Sequence, residues 1–65
     1  MRNTIGKRIR ALRDKAGLSQ REQARRLKIT AVYLCNIERG RHKPSLRMLE
    51  KIAMHFKVPV TELLR

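Results

Sequence analysis

Sixty-five residues carrying 17 Lys or Arg against 5 Asp or Glu, a formal charge of +12, leave room for one small domain and point to a strongly anionic partner. A chain this short buries only about 60 % of the surface it exposes when unfolded, so its core is thin and every apolar position counts. A single cysteine excludes an internal disulfide, and no apolar run approaches the roughly 18 residues of a membrane span, so a soluble protein of the reducing cytoplasm, with no membrane partner, is expected.

Ile5, Ile9, Leu12 and Ala16 follow one another at spacings of four, three and four, which predicts a first helix opened by Asn3 or Thr4. Gly17 supplies a left-handed cap, with Leu18 folding back on the helix. Ser19-Gln20-Arg21-Glu22 reads as a capping box, the Ser19 hydroxyl and the Glu22 carboxylate each satisfying a backbone N–H of a short second helix that ends near Leu27. Thr30 caps a third helix that runs to Arg39 and stops at Gly40, with Leu34 and Ile37 inward. The connection between the second and third helices is too short for anything but a steep angle, the helix-turn-helix geometry. After the basic loop Arg41-His42-Lys43-Pro44, Ser45 caps a fourth helix striped by Leu46, Leu49, Ile52, Ala53 and Phe56, and Pro59 opens a last turn from Val60 to Leu64. Nothing alternates with period two over a strand's length. The expectation is an all-α, five-helix single domain over residues 1–65, with the helix-turn-helix unit at about 19–39.

The charge is uneven. Residues 1–43 hold thirteen basic and three acidic side chains, net +10, whereas residues 44–65 hold four and two, net +2. A solvated helical surface mixes both signs, so this asymmetry marks a face built for polyphosphate. Anionic lipid would call for a wide apolar face bearing Trp or Phe, and the chain has no Trp and one Phe. Catalysis is not expected: there is no pair of carboxylates, no nucleophile beside a base and no phosphate-cradling glycine loop. His42 and His55 stand alone, so no metal site and no cofactor are expected.

The order Leu18-Ser19-Gln20, Ala24, Leu27, Ile29-Thr30, Tyr33-Leu34-Cys35-Asn36-Ile37-Glu38-Arg39-Gly40, Pro44-Ser45-Leu46 and Val58 to Leu64 resembles the Cro/C1-type (xenobiotic-response-element) helix-turn-helix family of phage and bacterial repressors, from Ile5 to Leu64. The resemblance implies a lambda-repressor-like fold that binds double-stranded DNA with its third helix in the major groove. The helical wheel agrees on the face: Leu34 and Ile37 point one way, and Ala31, Val32, Cys35, Asn36 and Arg39 the other. Asn36 can pair bidentately with adenine, and Ala31 and Val32 suit a thymine methyl; the plainer alternatives are a solvated amide and two helix formers that let the backbone approach.

Base contacts are therefore expected from Ala31, Val32, Cys35 and Asn36. Ser19, Gln20, Thr30, Tyr33, Arg39, Arg41 and Lys43 are the candidates for the DNA backbone, Gln20 and Tyr33 by their match to family positions that touch it. Arg39 is equally compatible with solvation, and Tyr33 with a place at the core's rim. Cys35 is read as a small side chain that fits, with a thiol sensor as the sharper alternative. Arg13 and Glu38 match positions that pair across the first and third helices in this family.

Three positions depart from the family pattern. Gln23 stands where Leu is usual on the inner side of the second helix, so its amide is expected either to be buried with partners or to be displaced outward. Lys28 and Lys57 stand where Gly is common at helix ends with positive φ, at a cost of about 1 kcal/mol for Lys28.

A sequence-specific regulator is the reading that follows, most simply a repressor acting as a homodimer on an inverted repeat, because one recognition helix reads too few bases to find one site in a genome. Met54, Val58, Val60, Leu63 and Leu64 are the candidate dimer interface. No separate sensing or dimerisation domain is expected after the fifth helix. The alternatives are an antitoxin-type regulator that also binds a toxin partner, or a non-specific nucleic-acid binder, against which the lack of stacking aromatics weighs.

Overall fold

Side-chain capping marks where the helices begin in the computed structural model, which describes residues 4–64. Among the described residues there are five helices and no strand: α1 Thr4–Ala16, α2 Gln20–Leu27, α3 Ala31–Glu38, α4 Leu46–Phe56 and α5 Thr61–Leu64. Asn3, one of the two residues expected to open α1, lies outside the described residues. Ser19 Oγ accepts from the Glu22 N–H at 3.0 Å, Thr30 Oγ1 from the Tyr33 N–H at 3.0 Å and Ser45 Oγ from the Met48 N–H at 3.1 Å. Each hydroxyl satisfies a backbone donor that the helix itself leaves without an acceptor.

Only half of the capping box forms. The Glu22 carboxylate turns along α2 to Arg25 and Arg26, the latter through Nε at 3.1 Å. Two guanidinium groups one turn away offer charged donors, which a single neutral backbone N–H does not match.

The helix ends use positive φ four times, at Gly17 (+74°), Lys28 (+60°), Gly40 (+78°) and Lys57 (+58°). At the two lysines the left-handed conformation costs roughly 1–2 kcal/mol, because Cβ crowds the carbonyl that follows. What holds Lys28 there is its cap: its N–H returns to the carbonyls of Ala24 and Arg25, and the Ile29 N–H donates to Ala24 at 2.9 Å. Residues 28–30 alone connect α2 to α3.

α3 is packed against both α1 and α2, α4 against α2 and α5, and α5 closes back onto α1. Ile9, Leu27, Leu34, Ile37, Ile52 and Leu63 form the centre of the core, with Ala24, Leu49 and Ala53 around them. Ile5, Leu12, Ile29, Met48, Phe56, Val58 and Val60 are half-buried against it. Two positions of the expected stripes are exposed instead. Leu46 is exposed in the first turn of α4, and Ala16 in the last turn of α1. The buried arc of α1 is turned toward Gly6, Ile9 and Arg13, because Arg13 is drawn inward by a carboxylate on α3.

Candidate nucleic-acid interface

α3 presents two faces of opposite character. Leu34 and Ile37 are fully buried, whereas Val32, in the first turn, is 71 % exposed, with Cys35 and Asn36 half-exposed on the same side. An exposed β-branched apolar side chain beside an amide and a thiol is a poor solubility surface and a good one for the floor of a DNA groove, where methyl groups and base-edge donors alternate. Ala31 lies at the edge of this face, half-buried against the core, so only part of its methyl group is presented outward.

The expected backbone-contacting residues lie on α2 and α3, at their ends, or in the loop that follows α3. Ser19 and Thr30 are exposed at the starts of α2 and α3, and Arg39, Arg41 and Lys43 are exposed beyond the C-terminal end of α3. The loop that carries Arg41 and Lys43 is tied to α3 by its own backbone: the N–H groups of Arg41 and His42 donate to the Asn36 carbonyl at 2.8 and 3.3 Å. Tyr33 is half-buried against the core, and its ring meets His42 edge-on at 5.9 Å between centroids. This contact joins the basic loop, of which His42 is part, to α3.

Beneath α3 lies a buried polar network. Glu38 accepts from Arg13 through Nε to Oε2 at 2.8 Å and through Nη2 to Oε1 at 3.2 Å. Arg13 Nη1 donates to the Leu18 carbonyl at 2.7 Å, binding the turn after α1 into the same cluster. Asp14, itself exposed, adds a carboxylate oxygen 3.6 Å from Arg13 Nη1. The hydrogen bond to Glu38 holds the Arg13 guanidinium's pKa above its ordinary value despite the opposing effect of burial. Gln20 Nε2 also donates to Glu38, to Oε1 at 3.0 Å.

Gln23 is the departure with the largest structural consequence. It is 0 % exposed, and neither its Nε2 nor its Oε1 has a hydrogen-bond partner among the described residues. The expectation of burial with partners or displacement outward is therefore met by neither arrangement: the side chain is buried and its amide is left alone.

The candidate dimer residues divide. Leu63 is 0 % exposed and part of the core, because α5 must close the gap between α1 and α4 with an apolar side chain; it is withdrawn from any interface. Val58 and Val60 are half-buried against the same core. Met54, 79 % exposed, and Leu64 on α5 remain open. Cys35 is free and half-buried. Among the described residues no group of three His, Cys, Asp or Glu side chains is placed to hold a metal, and no helix is long and apolar enough to cross a membrane.

Comparison with known proteins agrees with this geometry. A helix-turn-helix family model matches residues 9–63. The immunity repressor protein of Bacillus phage phi105 is 42 % identical over 50 residues, covering 77 % of this chain and 35 % of that protein, so the chain spans about a third of the repressor's length. Among solved structures, the N-terminal DNA binding domain of SinR from Bacillus subtilis superposes with a TM-score of 0.87 at 35 % identity, over 98 % of this chain and 94 % of that one. The restriction-modification controller protein C.AhdI from Aeromonas hydrophila does so with a TM-score of 0.85 at 33 % identity, over 92 % and 91 %. The five-helix order, the three-residue α2–α3 connection and the family match over residues 9–63 together establish that this chain belongs to the Cro/C1-type helix-turn-helix family of DNA-binding transcriptional regulators.

Proposed function

We propose that this chain reads a specific double-stranded DNA site, most simply as a repressor, and that it does so as a homodimer on an inverted repeat with α3 in the major groove. The observation that carries the reading is the outward face of α3, where Val32 is 71 % exposed beside Cys35 and Asn36 and the opposite side is wholly buried. In this arrangement Val32, with the outer part of Ala31, meets thymine methyl groups, Asn36 pairs with adenine and Cys35 lets the helix approach closely. Ser19, Thr30, Tyr33, Arg39, Arg41 and Lys43, on α3, at the helix starts or beyond its end, would grip phosphate, supplying affinity and orientation without sequence information. The SinR and phage relatives, one a DNA binding domain and the other a repressor, support the same reading.

A body whose longest extent is 26 Å suits two copies side by side, with recognition helices about 34 Å apart on successive turns of one face of the duplex. Of the candidate interface residues, Met54 and Leu64 are exposed and Val58 and Val60 half-buried, and these would supply that contact. The test is selection of bound duplexes from a random library, followed by titration of the winner and a scrambled duplex at two salt concentrations. An inverted repeat with half-sites about one helical turn apart, bound at least ~10³-fold tighter than the scrambled duplex, is the expected outcome. Equal binding of both, changed only by salt, would reduce the interface to generic charge and remove the reading roles of Ala31, Val32, Cys35 and Asn36.

A further inference from the structure

The loop between α3 and α4 holds a histidine to which the reading of the DNA interface gives no role. His42 is exposed between Arg41 and Lys43. The N–H groups of Arg41 and His42 hold this loop on the Asn36 carbonyl, at 2.8 and 3.3 Å, and the imidazole meets the Tyr33 ring edge-on at 5.9 Å. Tyr33 and Asn36 are about 60° apart around a helix, so the imidazole lies along the flank of α3 that adjoins the outward face. The charged groups nearest to it in the chain are cations: Arg41 and Lys43 in the loop and Arg39, exposed at the end of α3. The carboxylate of α3, Glu38, is buried and held by Arg13 and Gln20. α4 carries Arg47, Glu50 and Lys51, none of them paired with the ring, which among the described residues makes neither an ion pair nor a hydrogen bond. A phosphate brought against the loop would give the imidazole an anionic partner, and an anion favours its protonated form, in which both ring nitrogens donate.

We propose that His42 is a proton-dependent phosphate ligand: when DNA meets this loop its imidazole takes up a proton, so affinity falls as pH rises from acid to neutral. This rests on the reading of α3 and the loop after it as the DNA interface. Arg41 and Lys43 keep their charge throughout that range, whereas an imidazole, with an ordinary pKa of about 6.5, does not. The sign follows from linkage, because a group protonated more fully in the complex than in the free chain strengthens binding in acid. One hydrogen bond to a charged group supplies about tenfold. If the protonated form of a group titrating at about 6.5 is held tighter by that factor, affinity is about fivefold lower at about pH 7.5 than at about pH 5.5 for each bound copy. The extra neutralised phosphate also steepens the dependence of log K on log salt in acid, by up to about 0.9 per copy.

The experiment titrates the full chain against the selected and scrambled duplexes at both pH values, beside His42→Gln, His42→Arg and His55→Gln. Phosphate is common to every sequence, so the wild type should lose affinity with rising pH on both duplexes. His42→Gln should bind alike at both pH values, and His42→Arg should keep the acid affinity of the wild type at both. His55→Gln, which removes the other imidazole of the chain, should retain the wild-type dependence. Should circular dichroism show that His42→Gln does not fold, His42→Arg carries the same test, since a permanent charge also abolishes the dependence. A wild-type affinity that is flat with pH, a dependence confined to the selected duplex, one that survives in the His42 variants, or one lost in His55→Gln overturns the proposal. A wild type that binds neither duplex overturns the reading of the interface and this proposal with it, and that failure is visible before any substitution is made.

Discussion

Gln23 should be a source of instability that a single substitution relieves. The residue is 0 % exposed, one of the three buried residues of α2 with Ala24 and Leu27, and its amide nitrogen and oxygen are both without partners among the described residues. A buried polar group that has left water without gaining a hydrogen bond costs about 1–3 kcal/mol. Gln23→Leu removes that penalty, leaves helix propensity almost unchanged and substitutes a branched apolar group for a linear polar one; the change of shape takes back less than about 1.5 kcal/mol. Gln23→Met keeps the linear shape and so carries less of that correction. The expected net gain is about 1–2 kcal/mol. With an unfolding entropy of about 2.1 cal/mol/K per residue, a chain of 65 residues shifts its melting temperature by roughly 7 °C per kcal/mol, so a rise of about 7–15 °C is expected. Thermal unfolding followed by circular dichroism reads the shift, and urea titration with an unchanged slope shows that it reflects the native state. If neither the Leu nor the Met variant is more stable than the wild type, the amide is not the liability argued here and the reasoning is refuted.

Breaking the Arg13–Glu38 pair from one side, with Arg13→Met or Glu38→Ala, should cost about 3–5 kcal/mol in urea unfolding, since a charge is stranded in the interior; a loss below about 1 kcal/mol would place the pair in solvent. Lys57→Gly, at φ +58° and outside the proposed DNA face, should raise the urea midpoint by the equivalent of up to about 1 kcal/mol, and Lys28→Gly should do the same while also weakening DNA binding through its lost charge. A lower midpoint for both would show that the left-handed conformation is not strained in this chain. Glu22 is held below the usual carboxylate pKa by hydrogen bonds from Arg26 and then Arg25. The folded value is depressed, so its contribution is present above the ordinary carboxylate pKa and disappears as pH falls through the lower folded value. Glu22→Gln should accordingly be less stable than the wild type near neutrality and converge with it in acid; a difference that persists at low pH would assign the effect to packing.

The parts of the molecule that could be read from the chain are those governed by neighbours within four residues. Ser19, Thr30 and Ser45 were legible as caps because a hydroxyl reaches only the N–H groups of the next turn, whereas the positive φ at Lys28 and Lys57 was implied only by the family resemblance, which has Gly at those helix ends. The two faces of α3 were legible for the same reason, since a period of 3.6 separates Leu34 and Ile37 from Val32, Cys35 and Asn36 whatever surrounds them. Even here local competition misled once: the Glu22 carboxylate has charged donors at i+3 and i+4, and these prevail over the backbone N–H that a capping box would use.

What the chain alone did not show is what each helix finds across the core. Leu63 and Leu64 are adjacent and equally apolar, yet one fills the core and the other remains open, according to which side of α5 meets α1 and α4. Gln20 meets Glu38 across 18 positions of sequence and Arg13 meets it across 25, whereas Gln23, three residues after Gln20, is fully buried and its amide has no hydrogen-bond partner among the described residues. Sequence by itself determined the number, limits and outward faces of the helices, because hydrogen bonds within a turn and the helical period act at short range. Tertiary structure alone decided which polar groups would be paired in the interior and which apolar ones would be left outside, because burial and charge pairing depend on side chains that only the fold brings within a few ångströms.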